Sequence, residues 1–263
     1  AQGLAEDLRH YGAWMAQEAA RRLGHLYPPV TVSPELAASR RDLQPYAGRT
    51  LRVVAWLWAR TVPSPDPAFR DVAVPLASSF VLSTKEGRGA WVRPRVEGRS
   101  YRFEVLAGTP PEEARRGTKL GRGANFRCLL SGAPIPGDHI KAAGKTGRLG
   151  ARLMAVVAEG DRERVYLPPT PDQEEAATRA QPGWKPDLLI PTPCHDVDRL
   201  PMYGMPTWGD AFTPRQLAAL GTFADLVEEA RRRVHEDARA SGLEEGDPLE
   251  AGGSGARALA EAV

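Results

Sequence analysis

Cysteine is nearly missing from this chain: Cys128 and Cys194 are the only two in 263 residues. That excludes a disulfide framework and points to a reducing, cytoplasmic compartment. No apolar run reaches the roughly 18 residues a membrane span requires, and no signal-peptide pattern is present, so no membrane partner is expected. The common nucleotide cradles are absent too. There is no GxGxxG after a strand, no GxxxxGK followed by Ser or Thr, and no GxSxG elbow. The five histidines, at positions 10, 25, 139, 195 and 235, mostly stand alone in charged surroundings. The run Cys194-His195-Asp196-Val197-Asp198 looks like a set of metal ligands. Adjacent side chains seldom converge on one ion, however, so it reads as a loop. These absences argue against a self-contained active site.

Lysine is scarce as well, 5 against 30 arginines. A GC-rich genome accounts for such a ratio, and so does the planar guanidinium fork favoured for phosphate and carboxylate. The composition, 42% hydrophobic and 26% charged with 24 Pro and 26 Gly, is that of a globular chain. Its charge is uneven. Between Lys85 and Arg148 there are 14 basic and 6 acidic residues, whereas the rest holds 21 against 27. A basic centre between acidic flanks is the footprint of nucleic-acid binding. A solvated strand face, with Arg alternating with apolar residues, gives the same count.

The pattern along the chain predicts an α+β fold: a strand-rich basic central region, a ribbon-like antiparallel sheet, flanked by N-terminal and C-terminal helices. Residues 1–50 form an N-terminal helical segment, 51–168 the strand-rich region and 169–263 a helical C-terminal segment. Leu51–Ala59 reads as a buried strand, and the proline-rich stretch Thr61–Phe69 as a loop. Tyr101, Phe103 and Val105 alternate with Arg102 and Glu104, with Glu97-Gly98 as a hairpin turn before them. Thr170-Pro171-Asp172-Gln173 and Thr213-Pro214-Arg215-Gln216 are capping boxes. The second opens the longest helix, to about Ala240, with Leu217, Leu220, Leu226, Val227, Ala230 and Val234 inward. Both chain ends cut through helical patterns, so an internal piece of a longer protein is expected.

Three stretches carry a family resemblance: Val53–Pro67 (VVAWLWARTVPSPDP), Gly147–Pro171 and Tyr203–Val227. Together with His25–Pro28 and Ser78–Pro94 they resemble the central region of adenine-specific DNA methylases that carry a zinc-ribbon insertion. The resemblance implies a parent that uses S-adenosylmethionine, bound by a DPFAGGG segment, and that holds the target adenine's amine with a DPPY turn. Neither segment occurs here, so no cofactor is expected on this chain alone. The resemblance also implies two cysteine knuckles. Their positions are occupied by Ser64 and Phe69 in the first loop and by Cys128 and Ser131 in the second. Serine is a poor zinc ligand and phenylalanine is none, so no zinc is expected, with Phe69 filling the vacated space. Cys194, His195 or His139 are the alternative ligands.

Two functions follow as expectations. In the first, the chain is the DNA-contacting insertion of the methylase. Arg88, Arg93, Arg95, Arg99, Arg102, Arg122, Arg127, Lys141, Lys145 and Arg148 would lie on phosphates, while Trp91 and Tyr101 either stack on a flipped base or pack in the core. In the second it is a structural or protein-interaction domain, its acidic helices docked on the remainder of the methylase chain and its arginines merely facing solvent.

Overall fold

The computed structural model describes residues 2–191 and 199–263. Cys194, His195 and the rest of that run lie outside the described residues. In chain order the elements begin with α1 (Gln2–Leu23), β1 (Val30–Thr31), α2 (Pro34–Ser39), β2 (Thr50–Leu51), β3 (Val53–Pro63) and β4 (Ala73–Leu76). Next come β5 (Val81–Ser83), β6 (Ala90–Glu97), β7 (Ser100–Ala107), α3 (Glu112–Arg116), β8 (Phe126–Arg127), β9 (Pro134–Ile135) and α4 (Gly137–Lys145). The chain closes with β10 (Gly150–Glu159), β11 (Arg164–Leu167), α5 (Pro171–Thr178), α6 (Pro214–Ala240) and α7 (Ala256–Ala262). All strand pairings are antiparallel, and helices stand at both ends of the described chain, so the class is α+β.

The chain divides into two compact units: residues 1–27, 177–185 and 212–263, and residues 28–176 and 186–211. The second unit is built on β3, whose β-branched and aromatic run suits a pleat covered on both sides. It lies in a four-stranded sheet of order β11-β10-β3-β4. Trp56, Trp58, Leu153, Val156 and Leu167 pack with Val30, Leu43 and Tyr46. Leu57, Ala155 and Tyr166 instead join the core of Phe80, Val92, Tyr101, Phe103 and Val105 from the three-stranded sheet β5-β6-β7. A register shift between Leu153 and Ala155 lets neighbouring residues of β10 serve both cores. Residues 28–50 belong with these strands because β1 pairs with β2 and Leu43 and Tyr46 are fully buried there.

Two local expectations are corrected. Thr61, Val62 and Pro63 are strand, not loop, since they pair with Pro75, Val74 and Ala73; the irregular stretch starts at Ser64. Gln173 does not close a capping box. Its side chain donates to the carbonyls of Pro28 and Pro29 and accepts from Trp56 Nε1.

In the first unit, α6 opens with a complete capping box, Thr213 and Gln216 bonding reciprocally. Arg22 of α1 forks onto Glu229 of α6 at 2.8 and 2.7 Å, and Tyr11 donates to Asp237 at 2.9 Å. Leu217, Leu226, Ala230 and Val234 are buried as expected. Leu220 and Val227 are not: with Phe223 they form an outward stripe, each about half exposed.

Candidate nucleic-acid interface

β6 and β7 form a hairpin whose register sets Arg93 opposite Glu104, Arg95 opposite Arg102 and Glu97 opposite Ser100. Alternation then turns Val92, Tyr101, Phe103 and Val105 into the core and leaves the charged residues on the other face. There the arginines are taken up by carboxylates. Arg93 and Arg95 bind Glu104 at 2.8 and 3.2 Å, and Arg102 reaches Glu97 at 2.7 Å and Glu104 at 3.2 Å. Burial pushes the Glu104 carboxyl up, but the hydrogen bonds from Arg93 and Arg95 outweigh it and hold it below the usual range. Arg99 pairs with Asp71 and lies over the Phe69 ring. Arg88 pairs with Glu163 at 3.4 Å, and Lys141 with Asp138 at 3.1 Å.

Four of the ten expected cations differ. Among the described residues, Arg122, Arg127, Lys145 and Arg148 have no carboxylate partner, and all four are exposed. Arg122 stands in the glycine-rich loop, whose Ala124 packs on Gly137 at the start of α4. Arg127 is on β8, while Lys145 ends α4 and Arg148 follows it. Tyr101 is not free to stack on a base, whereas Trp91 is half-buried. Trp91 packs against the core of the three-stranded sheet, and Tyr101 is buried in it with its hydroxyl donating to Ala73 O at 2.7 Å.

The ribbon positions Ser64, Cys128 and Ser131 come together, and Phe69 does not join them. Ser64 Oγ is 3.2 Å from Cys128 Sγ. The 128–132 turn is closed by Gly132 N–H to Cys128 O, with Gly132 at φ +74°, where a side chain is disfavoured. Burial pushes the Cys128 thiol up, but hydrogen bonds from the Ser131 and Ser64 hydroxyls and the Ser131 and Leu130 amides bring it below the usual value. Val62, Val74, Phe126, Ile135 and Ile140 surround the cysteine. Phe69 lies outside that cluster, in a turn where Asp66 accepts from Ala68 N, so the expectation that it fills the core is corrected. His139 Nε2 is 2.9 Å from Pro63 O; a carbonyl only accepts, so Nε2 donates and is not a ligand as placed. One thiol and two hydroxyls bonded to one another do not fit a structural zinc, which takes about four Cys or His donors. Among the described residues no group of three or more His, Cys, Asp or Glu converges. No helix among them is long and apolar enough to cross a membrane.

Sequence reasoning missed a second basic group. Lys85, Arg88, Arg162 and Arg164 line one cavity, of which only Arg88 was anticipated. Arg162 and Arg164 fall beyond the basic stretch that ends at Arg148, so a charge count along the chain passes them by. Compared with protein-family models, curated proteins and solved structures, the chain has no significant match.

Proposed function

We propose that this chain is the DNA-contacting insertion of an S-adenosylmethionine-dependent adenine-specific DNA methyltransferase of the cytoplasm, with no catalytic step of its own. The observation that carries the reading is the set Arg122, Arg127, Lys145 and Arg148. These cations are exposed and spared by every carboxylate among the described residues, which leaves them open to phosphate oxygens. The resemblance over Val53–Pro67, Gly147–Pro171 and Tyr203–Val227 supplies the parent. In this reading the remainder of the methylase chain is the second partner, holding the cofactor and the target adenine. The ribbon keeps its shape by packing and hydrogen bonds, without zinc.

The test is fluorescence anisotropy of a labelled DNA duplex with the whole chain. The variant Arg122→Ala/Arg127→Ala/Lys145→Ala/Arg148→Ala weakens binding at least tenfold. Unchanged binding overturns the reading.

A second reading, a protein-interaction domain without nucleic-acid contact, is favoured by the stripe Leu220, Phe223 and Val227, spaced along one side of α6. Absence of any duplex binding by the wild-type chain, together with capture of the remainder of the methylase by α6, supports it over the first.

A further inference from the structure

The cavity lined by Lys85, Arg88, Arg162 and Arg164 has a volume of about 660 Å³, within the size range of ligand sites. Two carboxylates, Glu159 and Glu163, share the wall, but both are already engaged. Arg52, outside the cavity, holds Glu159 at 2.6 Å. Glu163 accepts from Tyr46 Oη at 2.8 Å and pairs with Arg88. Lys85, Arg162 and Arg164 are left with no carboxylate partner among the described residues, three cations facing one space.

The wall is held in place. The 160–163 turn between β10 and β11 is braced from below by the buried Tyr46. Its hydroxyl donates to Glu163 and accepts from Asp161 N–H at 3.0 Å, while Arg49 forks onto Asp161. A Cβ on Gly160 would come within 2.5 Å of that hydroxyl, so the turn sits directly on it. At its tip Arg162 has φ +61°, the one non-glycine residue with positive φ among those described. Gly or Asn is the residue for that conformation, and an Arg there is a cation kept against local preference.

We propose that this cavity binds the phosphate groups of a multiply charged phosphate ligand. Guanidinium forks match phosphate oxygens in pairs, and three unpaired cations balance the two or more charges that a phosphomonoester or pyrophosphate carries and a single carboxylate lacks. The same chemistry is offered by a free nucleotide polyphosphate and by the phosphorylated end of a nucleic-acid strand.

Calorimetry with inorganic pyrophosphate on the whole chain is the test. Wild type binds, Arg162→Gly and Lys85→Ala/Arg164→Ala each weaken binding at least tenfold, and Arg122→Ala/Arg127→Ala leaves it within twofold. Because glycine suits the turn, Arg162→Gly keeps or raises the melting temperature, which separates lost binding from lost folding. Displacement of pyrophosphate by a 5′-phosphorylated oligonucleotide, but not by its dephosphorylated form, assigns a strand end; displacement only by nucleoside triphosphate assigns the free ligand. Absence of pyrophosphate binding, or affinity untouched in Arg162→Gly and Lys85→Ala/Arg164→Ala, overturns the proposal, and neither result bears on duplex binding through Arg122 and its companions.

Discussion

Ser64 Oγ and Cys128 Sγ lie 3.2 Å apart in the core at the end of β3, joined by a hydrogen bond. The thiol is 1% exposed. Cys128 and the hydroxyls of Ser64 and Ser131 lie within hydrogen-bonding reach of one another. Replacing both hydroxyls by thiols, Ser64→Cys/Ser131→Cys, therefore creates a three-sulfur cluster. Cobalt titration is expected to give thiolate charge-transfer absorption in this variant and none in wild type. The same spectrum in both would show that the wild-type residues already suffice.

The β6–β7 face makes the opposite prediction from the loop cations. Arg93, Arg95 and Arg102 share Glu104 and Glu97, and exposed pairs of this kind add little to stability. Arg93→Ala/Arg95→Ala/Arg102→Ala is expected to leave duplex affinity within about threefold, measured by anisotropy, because all three guanidiniums are held by Glu104 or Glu97. A tenfold loss would make this hairpin the DNA face.

Arg40 is buried, and its guanidinium donates to Val105 O at 3.0 Å and Tyr166 O at 2.9 Å while pairing with Asp42. It ties the segment before β2 to both sheets. Arg40→Ala leaves the Val105 and Tyr166 carbonyls without their donor, at a cost of roughly 2–3 kcal/mol in chemical denaturation. Arg40→Lys recovers only part, since one ammonium cannot reproduce the fork.

The Tyr11 phenol is pushed up to about 12, by burial first and then by its hydrogen bond to Asp237. Its ordinary value is near 10. A raised folded value means that the neutral phenol stabilises: the contribution is whole below about pH 10 and is lost as pH climbs through 12. Wild type should exceed Tyr11→Phe by about 1 kcal/mol at pH 8, and the difference should shrink above about pH 10 and reverse by about pH 12 when helix loss is followed by circular dichroism.

How far the sequence announced this can be judged at particular residues. The alternation Tyr101, Phe103, Val105 and the Glu97-Gly98 turn gave the hairpin, because a period of two and a tight turn are local properties. The fate of its arginines was not local: Arg93 meets Glu104 only once the register is known. Gln173 obeyed a capping pattern and went elsewhere because Trp56 and two proline carbonyls, far away in sequence, needed partners. On α6 the apolar residues exceed what one face can bury, so Leu220 and Val227, counted inward from periodicity, lie outside. The cavity around Arg162 was invisible, since it joins a turn after β5 to a turn after β10 and neither carries a motif.

Salt dependence of duplex binding tests the central claim most directly. If Arg122, Arg127, Lys145 and Arg148 sit on phosphates, log affinity falls linearly with log salt, and the quadruple alanine variant flattens that line by roughly 3–4. A wild-type affinity that does not move with salt, or a variant with an unchanged slope, would contradict the account.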